Sequence, residues 1–154
     1  MDINTFWEII EQSKQNTNGD IYLQLDNLRE ALRNLSKNDL IKAQEIFSDL
    51  MDKACKWDLW AAAYTIQGGC SDDGFIDFRA WLIGRGKDIY NAALENSFLN
   101  YLKKHLLTVR QERSSIICLS KPMRNLQMKK CPSFQENQNS SPMDINGMKT
   151  ISTN

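Results

Sequence analysis

Apolar side chains recur three and four residues apart through most of the first 113 positions of this chain, and no proline interrupts them before Pro122. That period belongs to an α-helix with one buried stripe; a half-buried strand would show alternation instead. Thr5 and Glu8 fit a capping box, which predicts a first helix over about 5–15 with Phe6, Ile9, Ile10 and Ser13 on one face. Ile21, Leu25, Leu28, Leu32 and Leu35 form a second stripe, after a turn at Asn16–Gly19. Ser36 with Asp39 starts a third helix whose face is Leu40, Ala43, Phe47, Leu50, Met51 and Ala54. The run Trp57–Ile66 is apolar on nearly every side, which predicts a helix in the middle of the fold, closed by Gly68-Gly69. Ser71, Asp72 or Asp73 caps the next helix, with Phe75, Phe78, Leu82 and Ile83 on its core side. Gly84-Arg85-Gly86 breaks it, Ile89, Tyr90, Ala93 and Leu94 mark another, and a last helix is expected from Phe98 to about Val109. The fold class is therefore all-α, a compact bundle of six or so helices.

Composition changes near Arg113. All three prolines lie beyond it, and of fourteen aromatic residues only Phe134 does. Residues 1–113 hold 14 Lys/Arg and 17 Asp/Glu, whereas residues 114–154 hold 5 and 2. The expectation is a helical domain over 1–113 followed by a low-complexity, irregular or mobile tail over 114–154, too poor in apolar residues to offset the cost of ordering. A balance of 19 basic and 19 acidic side chains across the 154 residues argues against a nucleic-acid partner. No apolar run approaches the ~20 residues of a membrane span, and an acidic opening without Lys or Arg before Lys14 fits neither a signal nor a transit peptide. No membrane partner is expected.

The turn Gly68-Gly69-Cys70-Ser71-Asp72-Asp73-Gly74 is the segment richest in possible chemistry. A phosphate-cradling reading fails, because Asp72 and Asp73 repel phosphate and the Lys-Ser/Thr pair is missing. A calcium loop also fails. With Gly74 at the sixth loop position, Gly69 and Ala80 fall where oxygen ligands are required. Cys55, Cys70, Cys118 and Cys131 lack C-x-x-C spacing, so zinc is not expected, and they read as free thiols. Cys70 precedes a helix start, which would lower its pKa, and the single imidazole, His105, lies far along the chain. The remaining candidate is a cluster of carboxylates, guanidinium groups and indoles: Asp58, Trp60, Cys70, Ser71, Asp72, Asp73, Asp77, Arg79, Trp81 and Arg85. Asp58 sits on an otherwise apolar helix and needs a partner or a cleft; Arg79 is the partner the sequence suggests. Helix capping by the aspartates and a buried structural ion pair explain the same residues without any ligand.

The segment WDLWAAAYTIQGGCSDDGFIDFRAWLIGRGKDIYNAAL, residues 57–94, resembles the bacterial family called domain of unknown function 4240. So do Phe6-Trp7-Glu8-Ile9-Ile10 and the Leu40…Phe47…Leu50 helix, and the likeness runs over about residues 1–100 before the chain departs from the pattern. GGCSDDGF, FRAWLI and GRG carry it. The resemblance implies a helical, cytoplasmic, bacterial domain and brings no activity with it. The function expected is a small-ligand or protein-binding module without cofactor or metal. The alternative is a hydrolase or transferase in which Asp72, Asp73 or Asp77 acts as base or metal ligand and Arg79 holds an anion. A weaker third is a phage or stress-related interaction protein.

Overall fold

The computed structural model describes residues 1–95. The expected helix from Phe98 and the expected tail over 114–154 lie outside the described residues. Within them the chain is all-α: α1 (Ile3–Ser13), α2 (Ile21–Arg33), α3 (Lys37–Lys53), α4 (Trp57–Gln67), α5 (Asp72–Gly84) and α6 (Lys87–Leu94).

Local chemistry starts most of these helices. The Asp2 carboxylate accepts from the Asn4 and Thr5 amides at 2.8 and 2.9 Å, so α1 begins two residues before the expected Thr5 cap. Thr5 lies inside the first turn and donates its hydroxyl to Asp2. An aspartate accepts more strongly than a threonine hydroxyl, and it gains from the positive end of the helix. Asp20 caps α2 in the same way. Ser36 accepts from the Asp39 amide at 3.1 Å and donates to the Asp39 carboxylate at 2.7 Å, as the third stripe requires. Ser71, of the three candidates at that start, caps α5 through the Gly74 amide at 3.2 Å. α4 ends at Gly68, whose φ of 68° is the left-handed geometry glycine adopts without strain.

The central helix is α5, not α4. Phe75 and every residue from Asp77 to Gly84 are buried, and α5 packs against α3, α4 and α6. α1 lies on α2 and α3. α4 buries only Leu59, Ala62, Ala63 and Ile66 and leaves Trp57 61% and Tyr64 46% exposed. The correction has a simple cause. An apolar run states what tolerates burial, not which side receives a neighbour. α5 has packed helices around it, whereas α4 lies at the edge.

Two buried cross-ties fix the ends of neighbouring helices. Arg79 on α5 donates Nη1 to the Met51 carbonyl at 2.8 Å, and Tyr90 on α6 donates its hydroxyl to the Leu50 carbonyl at 2.6 Å. Both carbonyls belong to the last turn of α3, where the dipole favours a cation, and the Leu50 carbonyl also accepts from the Ala54 amide at 3.0 Å. At the other end of α5, Gln24 donates to the Gly84 carbonyl at 2.9 Å and Lys14 to the Arg85 carbonyl at 3.1 Å. Gly86 closes this corner with φ +102°, and a Cβ there would collide with the paired Glu11 and Lys14 side chains.

Candidate functional site

Trp60 organises the residues around the α4–α5 turn. Its indole Nε1 donates to the Cys70 carbonyl at 3.1 Å, drawing the turn back onto α4. Its ring stacks on Trp57 at 5.4 Å and on Phe75 at 5.4 Å. Phase along the helix accounts for the first stack: positions 57, 60 and 64 fall on one face of α4. The series continues inward through Phe78 at 6.4 Å from Phe75 and Trp81 at 5.4 Å from Phe78. Aromatic rings thus run from an exposed indole to the centre of the molecule.

The sequence-predicted cluster divides between this surface and the interior. Trp60, Cys70, Ser71, Asp72 and Asp73 come together at the turn, and Asp58 stands beside Trp57 in the first turn of α4. Asp58, Asp72 and Asp73 are exposed. Asp77, Arg79 and Trp81 are instead buried in α5, and Arg85 lies half-buried after its end, its guanidinium 6.0 Å from the Trp81 ring centre.

Arg79 does not pair with Asp58. Its Nη1 is bound to Met51, its guanidinium carbon lies 4.9 Å from the Phe75 ring centre, and Nε and Nη2 have no hydrogen-bond partner among the described residues. Arg79 is 1% exposed while Asp58 faces solvent. Burial holds the Arg79 pKa below the usual guanidinium value, opposed by the negative charge of Asp52. The suggested ion pair fails because the α3 carbonyl end lies against α5 and takes the guanidinium. Burial likewise raises the Tyr90 pKa.

Cys70 also departs from expectation. Burial, with the nearby charges of Asp72 and Asp77, raises its pKa from 9.0 to about 11. The helix-start effect is outweighed, so the thiol is not activated near neutrality. Cys70 is a free thiol, but Cys55 is disulfide-bonded. That corrects the reading of all four cysteines as free.

Hollows among the described residues lie elsewhere. A cavity of about 30 Å3 between α1, α2 and α3 is lined by apolar side chains including Phe6, Ile10, Leu28 and Phe47. It is about the size of one water and too small for a ligand. An open hollow of about 510 Å3 is bordered by Met1, Asp2, Thr5, Leu35 and Asp39. Its charges are already engaged: Asp2 caps α1, and Asp39 binds the Met1 amine at 2.7 Å. Among the described residues no group of three or more His, Cys, Asp or Glu is placed to hold a metal ion, and no helix is long and apolar enough to cross a membrane.

Trp57 and Tyr64 belong with the aromatic residues beside the candidate cluster in the sequence; their exposure is what the sequence did not show. The signal was present in the spacing 57, 60, 64 on a helix too apolar to reveal its outer side.

No curated protein and no solved structure matches the chain. A family model does, over residues 1–110, ten residues past the limit of the visible likeness. The aromatic α4 face, the GGCSDDG turn and the Gly84-Arg85-Gly86 corner all fall inside that match, and the chain belongs to the family described as protein of unknown function DUF4240.

Proposed function

We propose that this domain is a protein-binding module and that the outer face of α4, with Trp57, Ala61 and Tyr64 at its centre, is its contact surface. The observation that carries the reading is the exposure of two large aromatic side chains two turns apart on one helix face, with Trp57 stacked on Trp60, which is itself stacked on Phe75. Aromatic rings fixed before contact lose little freedom on binding, and tryptophan and tyrosine are the side chains that most often dominate protein interfaces. Ala61 between them is exposed and small, leaving room for a partner's side chain. The bacterial, cytoplasmic setting comes with the reading from the family resemblance.

The hydrolase or transferase alternative draws no support from Arg79. A buried guanidinium bonded to Met51 is poorly placed to hold a substrate anion.

A random peptide library displayed on phage tests the reading. Panning against the full chain, with counter-selection on Trp57→Ser/Tyr64→Ser, is expected to recover peptides that bind the wild type at least about ten-fold more tightly than the variant. Recovery of no such peptide, or of peptides that bind both proteins equally, overturns it.

A further inference from the structure

We propose that the partner of the α4 face is a basic segment, with an arginine or lysine side chain over the Trp57 ring and its neighbouring charges opposite Asp58, Asp72 and Asp73. The inference rests on the binding reading above and names the chemistry of the partner.

Charge carries the argument. Residues 1–95 contain 10 Lys/Arg against 16 Asp/Glu. Around the exposed rings the imbalance is sharper. Asp58 adjoins Trp57 at one end of the aromatic pair. Asp72 and Asp73 follow Cys70, whose carbonyl receives the indole of Trp60, the ring stacked on Trp57. The three carboxylates are exposed and enter no ion pair among the described residues. All three lie in first turns, where helix dipoles attract anions. Each N-terminus supplies only roughly half a unit of positive charge, so two helix starts leave three carboxylates largely uncompensated. Two lysines lie nearby in sequence. Lys56 is tied to the Leu94 carbonyl at 3.0 Å, and Lys53 is in the last turn of α3, where the carbonyl end favours it.

A flat indole edged by carboxylates suits a cation with an apolar stem. The ring face attracts the charge, the stem covers the ring, and the carboxylates complete the ion pairs at the rim. The protein already combines guanidinium and aromatic groups internally, Arg79 over Phe75 and Arg85 near Trp81. The three carboxylates disfavour pairing of this face with the same face of a second copy, since two such surfaces would bring like charges together.

The sequences recovered by the panning described above provide the test. They are expected to be rich in Arg and Lys and poor in Asp and Glu. A synthetic copy of the strongest binder, with its Arg and Lys changed to Gln, should bind the full chain about ten-fold more weakly at low salt, the sum of one cation–π contact and two exposed ion pairs. Asp58→Asn/Asp73→Asn should reduce that preference to about two- to three-fold, the share of the cation–π contact. If the double variant melts early, Asp58→Asn alone should halve the preference. Peptides that need Trp57 but show no basic bias overturn this inference and leave the binding module standing. Basic peptides that bind Trp57→Ser/Tyr64→Ser as well as wild type reveal attraction to acidity alone and also overturn it.

Discussion

Arg79 is held by the carbonyl end of a helix, with one N–H bonded to Met51 and two nitrogens unbonded among the described residues. Truncating it to alanine removes a charge-assisted hydrogen bond and leaves a void at a site 1% exposed, which predicts a loss of about 3 kcal/mol or more in denaturant unfolding. Arg79→Met fills most of that volume and removes two unbonded N–H groups, so it should cost less than half as much. Gly86 has φ +102° and ψ 169°, a region almost confined to glycine, and the Glu11–Lys14 pair sits over its α-carbon. Gly86→Ala should therefore cost more than ~2 kcal/mol, seen as a fall in the urea midpoint without a change in slope. Cys70 ionises late. Its folded pKa of about 11 exceeds its unfolded value of 9.0, so its contribution to stability is present below pH 9.0 and is lost as pH rises towards 11. Alkylation with iodoacetamide should be slow at neutral pH and accelerate only above that range, and Cys55 should resist it until a reductant opens its disulfide.

Helix starts were legible because a cap is a local hydrogen bond. Ser36 with Asp39, Ser71 before Gly74 and the left-handed Gly68 all follow from residues a few positions apart. Ser71→Ala should lower stability by about 1 kcal/mol, with Asp72 and Asp73 left to satisfy part of the helix start. The role of α4 was less legible. Its residues would tolerate burial on every side, and the packing of α5 against α3, α4 and α6 decided which side was covered. Because Trp57 and Tyr64 contribute mainly to the surface, Trp57→Ser/Tyr64→Ser should change the unfolding free energy by less than ~1.5 kcal/mol. A larger loss by thermal denaturation would mean that the rings are structural supports.

Across the whole molecule, the acid side of the stability profile is tied to the first residues. Hydrogen bonds from the Thr5 and Asn4 amides lower the Asp2 pKa, and the Met1 amine and Ser36 hydroxyl lower that of Asp39. Groups with folded pKa values below 3.8 stabilise above that pH and lose the contribution as pH falls through the folded value. Thermal melts of Asp39→Asn should accordingly converge with wild type at the most acidic pH and separate from it as pH rises. The sequence by itself determined the all-α class, the breaks between helices and some of their caps, Ser36 and Gly68 among them, because periodicity, glycine geometry and capping act over a few residues. It also contained the residues of the candidate surface without showing their grouping. Only the tertiary structure decided that α5 is central, that Arg79 serves Met51 rather than Asp58, and that the Cys70 pKa rises. Each of those outcomes depends on which distant group arrives within a few ångströms, and neither hydrophobic period nor charge count specifies that neighbour.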